Sequence, residues 1–130
     1  MNVIDHMGLT VSRYDEALSF YQEALALLGF SVVMQVKAEE SGGYQGAGFG
    51  RDGKPSFWVQ GGEKTAPRIH VAFVAESRAA VRAFHQAALA AGGTDNGAPG
   101  VRAEYHPNYY GAFVIDPDGH NIEAVCHRPE

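Results

Sequence analysis

The sequence predicts an α+β fold assembled from two βαβββ modules, and three observations predict it. The run beginning at His6 and the run beginning at His70 superimpose without a gap at a shift of 64, which brings Phe20 onto Phe84, Gln22 onto Gln86, Leu25 onto Leu89 and Gly29 onto Gly93. Within each copy, apolar residues first alternate with period two and then recur at helical spacing. Each copy closes with short apolar runs separated by Gly-rich and Asp-Gly turns. The 130 residues are therefore read as one domain, module one at 1–65 and module two at 66–130. A unit of about 60 residues alone buries too little surface to be comfortably stable, so the modules are expected to share a core. Chemistry is expected where the copies meet.

The elements follow in order. Met7, Leu9 and Val11 alternate with His6, Gly8 and Thr10, the pattern of a strand with two different faces. Ser12 can cap the helix that follows, with Asp15 three positions on. Tyr14, Ala17, Leu18, Tyr21, Leu25 and Leu28 form the apolar stripe of that helix, and Gly29 stops it. Residues 30–36, 43–50 and 56–60 are the next strands. In module two Ile69, Val71 and Phe73 alternate with Arg68, His70, Ala72 and Val74, after which Ser77 opens a helix carrying Val81, Phe84, Ala88 and Leu89. Gly92 and Gly93 close it. A loop containing Gly97, Pro99 and Gly100 leads to strands at 101–105, 110–115 and 121–126, with Asp116-Pro117-Asp118-Gly119 turning between the last two.

Composition narrows the partners. A net charge of -5 opposes nucleic-acid backbones and anionic membranes, which reward clustered Lys and Arg. A small molecule is the expected ligand. No apolar run approaches the ~18 residues of a membrane span, the N-terminus lacks the pattern of a signal peptide, and the single cysteine, Cys126, permits no internal disulfide. Cytoplasmic residence is the default expectation.

On the last strand, alternation sets Ile122, Ala124 and Cys126 on one side and Asn121, Glu123 and Val125 on the other. If the helices cover the first side, Glu123 shares the opposite face with His6 and His70. Two imidazoles and one carboxylate suit a borderline divalent metal and leave coordination positions open. Burying such groups unpaired costs roughly 1 to 3 kcal/mol each, so their placement in matching slots of the two copies points to a metal site. The run Tyr105-His106-Pro107-Asn108-Tyr109-Tyr110 leads into a strand bordering that space. His106 is the candidate acid or base and Tyr110 its catalytic partner, while Phe57, Trp58, Tyr105 and Tyr109 are candidates to line a substrate cleft. His85 is expected at the surface, and His120 and His127 in solvent. Gly46 and Gly111 are expected to relieve crowding at strand bends.

The paired modules, Asp5-His6-Met7-Gly8-Leu9, Ile69-His70-Val71-Ala72 and the segment Asp116-Pro117-Asp118-Gly119-His120-Asn121-Ile122-Glu123 resemble the vicinal oxygen chelate superfamily. This superfamily spans glyoxalase I, extradiol dioxygenases, fosfomycin resistance proteins and bleomycin resistance proteins. The resemblance covers essentially the whole chain. It implies an open, curved barrel whose concave face holds a divalent ion, Zn, Ni, Mn or Fe, and a substrate that chelates the ion through neighbouring oxygens. A homodimer is implied as well, with modules paired within one chain or across two. A fourth ligand, where relatives have one, would fall at Phe57 by the Asp-Gly register, or at Trp58 if the loop differs by one. His106 matches a histidine of the dioxygenase signature, whereas Phe113 stands where that signature has tyrosine. Arg102 and Arg68 are the only candidates for the basic pocket of a fosfomycin enzyme. Three readings remain: a glyoxalase-like lyase or isomerase, an extradiol-like dioxygenase, and a metal-free binding protein of the bleomycin resistance kind.

Overall fold

The computed structural model describes residues 3–130. Module one runs β1 (Met7–Val11), α1 (Tyr14–Ala26), β2 (Ser31–Val36), a single helical turn α2 (Ala38–Ser41), β3 (Gly46–Arg51) and β4 (Lys54–Gly61). Module two runs β5 (His70–Val74), α3 (Arg78–Ala90), β6 (Thr94–Val101), β7 (Tyr110–Ile115) and β8 (Asn121–Cys126). Each forms its own four-stranded sheet, in the orders β1-β4-β3-β2 and β5-β8-β7-β6. The two orders are the same walk through each copy, as the repeat requires. In each sheet the first strand pairs parallel with the last and the remaining pairs are antiparallel. This is an α+β protein with open sheets.

The period-two residues Leu9, Val11, Phe49, Phe57, Val59, Ala112, Val114, Ile122 and Ala124 turn toward the helices and are buried with Phe20, Tyr21, Leu25, Val81 and Phe84. The core crosses the module boundary. Phe73 of β5 meets Phe57 edge-on at 5.1 Å and Phe30 at 5.5 Å, and Arg51 donates to the carbonyls of Leu28 and Val74.

Three local expectations are corrected. Ser12 does not cap α1: its N–H and hydroxyl both go to the Asp118 carboxylate, at 2.7 and 2.6 Å, and Arg13 occupies the N-cap without a side-chain bond. Ser77 does cap α3, accepting from the Ala80 N–H at 3.0 Å. The loop read at Gly97–Gly100 is part of strand β6, and 101–105 is mostly turn. Glycine and proline are tolerated there because β6 is an edge strand, and two register shifts against β7 absorb the irregular backbone. Finally, His120 is not solvated. It is buried, its N–H donates to Asp116 Oδ1 at 2.9 Å, and its Nδ1 accepts from the Ile69 N–H at 3.1 Å.

Asp116 is the polar centre of the module contact. Besides His120 it accepts from the Asp118 N–H, and its other oxygen accepts from the Tyr21 hydroxyl of α1 at 2.5 Å. Burial first, and the facing carboxylate next, push the Tyr21 phenol well above its usual range, so it stays a donor. Among the described residues no helix is long and apolar enough to cross a membrane.

Candidate functional site

Because the helices cover one side of each sheet, each module offers its other side. In module two, β5 and β8 pair with Ala72 beside Glu123 and His70 beside Asn121, which sets His70 diagonally across from the carboxylate. His70 Nε2 lies 2.9 Å from Glu123 Oε1, while Nδ1 lies 3.2 Å from the Asn121 carbonyl. A carbonyl can only accept, so Nδ1 is the donor there, and Nε2 is the nitrogen turned to the carboxylate, itself an acceptor when ionised. Glu123 is only 1% exposed, and its Oε2 accepts from the Tyr109 hydroxyl. Burial first, and Glu123 next, push the Tyr109 phenol far up, which preserves it as the donor. Phe113, opposite Glu123 on β7, stacks on the His70 ring at 6.0 Å and 24°, and the Arg102 guanidinium lies 5.4 Å over Phe113. A Cβ on Gly111 would come within 3.1 Å of Glu123 Oε2 and 3.2 Å of the Tyr109 ring, so glycine gives this pair its space.

Module one offers a cavity of about 690 Å³. His6, Trp58, Tyr44, Met34 and Gln60 line it, and every lining residue belongs to that module. His6 Nδ1 is 2.7 Å from Asp5 Oδ2, to which Lys54 also donates at 2.9 Å. The hydrogen bonds from His6 and Lys54 hold the Asp5 carboxyl below the usual carboxylate range. Gln60 accepts from the Tyr44 hydroxyl and donates to Thr10, each at 3.1 Å.

The structure thus brings His70 and Glu123 together and leaves His6 on the other module's face. Among the described residues no three His, Cys, Asp or Glu side chains converge as a metal-binding group. Two further placements are corrections. Phe57 is 2% exposed, packed against Tyr21 and Phe73 at the edge of the groove between the modules, so the aromatic residue that lines the module-one cavity is its neighbour Trp58. The register confirms the exchange: Gly8 pairs with Trp58 as Ala72 pairs with Glu123, and Gly8 and Ala72 are one repeat apart. Tyr110 sits on the helix face, where its ring lies under Arg78 at 5.0 Å and Arg82 donates to its hydroxyl at 3.3 Å. It points away from Glu123, and Tyr109 is the tyrosine that arrives there.

His106 is exposed, accepts the Asn108 N–H at Nδ1, and meets the His127 ring edge-on at 5.8 Å. His127 in turn abuts Tyr109 at 5.2 Å, and Tyr105, 64% exposed, packs on Tyr109 at 5.0 Å. These three form the outer wall around Tyr109. His85, also on α3, bonds Asp95 at 2.9 Å. The sequence reading missed Asp116 and Tyr21 as the joint of the modules. An Asp-Pro-Asp-Gly turn whose first residue is buried looks like any surface turn until its partner helix is in place.

A family model described as the Glyoxalase/Bleomycin resistance protein/Dioxygenase superfamily matches residues 3–124. No curated protein matches the chain in sequence. The chain is similar to a glyoxalase/bleomycin resistance protein from Albidiferax ferrireducens T118, at 26% identity and a TM-score of 0.78, with 98% of this chain and 100% of that chain covered. Its fold is also similar to that of a mutant glyoxalase I from Zea mays, at 20% identity and a TM-score of 0.69, covering 94% of this chain and 46% of that chain. A third similar structure is a mutant fosfomycin resistance protein from Listeria monocytogenes, complexed with Mn(II) and 1S,2S-dihydroxypropylphosphonic acid. There the identity is 16% and the TM-score 0.68, with 96% of this chain and 92% of that chain covered.

Proposed function

The chain belongs to the Glyoxalase/Bleomycin resistance protein/Dioxygenase superfamily, and from that premise we propose that it is a divalent-metal enzyme acting on a small substrate that offers two neighbouring oxygens. His70 and Glu123 of one copy and His6 of a second copy are the proposed ligands. One observation carries the reading: a carboxylate that is 1% exposed faces an imidazole Nε2 whose other nitrogen is tied to a backbone carbonyl. Metal-binding histidines are held in this way, with Nδ1 donating and Nε2 presented. His6 follows the same plan, its Nδ1 engaged by the Asp5 carboxylate. The donor chemistry therefore fits a divalent ion, Zn, Ni, Mn or Fe, but one chain assembles only two of the three donors.

Pairing of two copies supplies the third. Support for a homodimer comes from exposed apolar groups: Val3, Ile4 and Val74 are all exposed and line a groove between the modules. When bound, the ion contributes Lewis acidity toward the substrate oxygens. The chain's own residues do the rest. Tyr109 holds Glu123 in one orientation by its hydroxyl, Phe113 fixes the plane of the His70 ring, and Trp58 closes the opposite wall with an apolar surface. A glyoxalase-like lyase or isomerase and an extradiol-like dioxygenase both fit this arrangement, in a cytoplasmic setting.

The alternative, a metal-free small-molecule binder, is favoured by Trp58, which stands where a fourth ligand would otherwise be. Mixing variants separates the two. His6→Ala and Glu123→Ala chains should each bind Mn(II) or Zn(II) more than about a hundredfold more weakly alone. After co-refolding, one intact site per mixed dimer should restore roughly a quarter of the wild-type capacity. No restoration, together with no metal bound by the wild type, would leave the binder as the surviving reading.

A further inference from the structure

Tyr110 belongs to the helix side of β7, behind the sheet face that carries Glu123, and it takes no part in the proposed metal site. Two arginines one turn apart on α3 converge on it. The Arg78 guanidinium lies 5.0 Å and the Arg82 guanidinium 5.9 Å from the centroid of its ring, and Arg82 Nη1 donates to its hydroxyl at 3.3 Å. Residues four apart share one face of a helix, so a single aromatic platform serves both cations. His85, further along the same helix, meets Asp95 at 2.9 Å. The arginines have no such partner: among the described residues neither enters an ion pair. Arg51 and Arg102 differ from them, because Arg51 directs its N–H groups to the carbonyls of Leu28 and Val74, and Arg102 to those of Ala98 and Gly100. Arg78 Nε is buried and has no acceptor.

Two guanidiniums gathered on one ring repel each other, and here the ring rather than a counter-charge holds them. Such a pair is preorganised for an anion. Each guanidinium presents a flat fork of donors on a side chain that stacking has already ordered, so little ordering cost remains when a ligand arrives. Tyr110 adds a donor of its own, since a hydroxyl that accepts from Arg82 keeps its proton to give. A carboxylate offers a single edge and fits a single fork, whereas the tetrahedral oxygens of a phosphate present edges to two forks at once. One carboxylate does sit at this end of α3: Glu130 Oε2 accepts from the Arg78 N–H at 3.0 Å, yet it lies outside ion-pair distance of both guanidiniums. We propose that Arg78, Arg82 and Tyr110 form a binding site for a phosphate group, free or carried on a small molecule. The site shares no residue with His6, His70 or Glu123 and requires no metal ion.

The full chain, treated with EDTA so that no metal competes for the anion, is titrated at constant ionic strength with inorganic phosphate, with glycerol phosphate and with acetate. Calorimetry gives affinity and stoichiometry, and the arginine Nε–H resonances show which guanidiniums respond. One phosphate per chain is expected, with the Arg78 and Arg82 resonances moving along the same isotherm and acetate binding about tenfold more weakly. Arg78→Ala and Arg82→Ala should each weaken phosphate binding by about tenfold. Arg82→Lys keeps the charge but not the fork and should recover only part of that loss. Arg82 is exposed, so its two variants carry the test even if Arg78→Ala fails to fold. Glu130→Gln removes a neighbouring negative charge and should strengthen binding by roughly threefold. Tighter binding of glycerol phosphate would assign the site to a phosphorylated small molecule, and tighter binding of inorganic phosphate to the free ion. No saturable phosphate binding, binding that neither arginine substitution weakens, full retention in Arg82→Lys, or equal affinity for acetate would overturn the proposal.

Discussion

At one backbone address, the two modules hold opposite chemistry. Glu123 on β8 and Trp58 on β4 each pair with the same position of their first strand, Ala72 in one copy and Gly8 in the other. Across from Glu123 stands the ring of Phe113; across from Trp58 stands Gly48. Bulk has changed strands between the copies. A buried carboxylate needs partners, and module two provides the Tyr109 hydroxyl and His70 for it. An indole needs room, and module one provides glycine. What the copies keep in common is a tyrosine two residues before a glycine: Tyr44 folds over Gly46 and reaches Gln60, and Tyr109 folds beside Gly111 and reaches Glu123. The shared frame positions a hydroxyl above the last strand in both copies, but it reaches Glu123 in module two and, two residues further along, Gln60 beyond Trp58 in module one.

The comparison can be broken most severely at Glu123. Glu123→Ala removes a proposed ligand and orphans two partners, and equilibrium dialysis with Mn(II) or Zn(II) should show affinity lower by more than about a hundredfold; undiminished uptake would place the metal elsewhere. Next comes the joint beneath both faces. Asp116→Ala leaves the Tyr21 hydroxyl and the Asp118 and His120 N–H groups without their acceptor. Urea unfolding should register a loss of about 2 to 3 kcal/mol, and a change under about 0.5 kcal/mol would contradict the role assigned to it.

Tyr109→Phe sharpens the polar side alone. Glu123 Oε2 loses its donor, and metal affinity should fall by about tenfold while the fold persists, as seen by circular dichroism. The smallest effect belongs to Ser12. Burial by itself would raise the Asp118 carboxyl, but two hydrogen bonds from Ser12 outweigh it and hold the group below its ordinary value of 3.8. A lowered folded-state pKa stabilises fully above the unfolded value and is lost as pH falls through the folded one. Ser12→Ala should therefore cost about 0.5 kcal/mol near neutral pH, allowing for partial exposure of Asp118, with the gap from wild type closing in acid. Urea midpoints at both pH values check it, and a gap that widens in acid would reverse the sign.

Much of this was legible in the residues. The repeat and most of the strand and helix periods come from local patterns and correspond to observed elements, whereas the strand read at 101–105 does not. The misreadings share a cause. Counting forward from the Asp-Gly turns aligns Glu123 with Phe57, yet the β3–β4 hairpin closes at Asp52-Gly53 with a register shift after Phe49, whereas the β7–β8 turn carries extra residues that fold inward through Asp116 and His120. A difference of one residue moves a side chain to the other face. That single step separates Trp58 from Phe57, and likewise Tyr109 from Tyr110.

By itself the sequence determined what depends on neighbours along the chain: two copies of one module, their elements, and which residue types each strand carries. These follow from backbone periodicity, which any short window expresses. Only the tertiary structure decided which side chains meet. It joined His70 to Glu123, kept His6 on a separate face, sank Asp116 into the module contact, buried His120 behind it, and laid Trp58 over Gly48. Each of those outcomes depends on strand register or on packing between residues far apart in the chain, which no local pattern encodes.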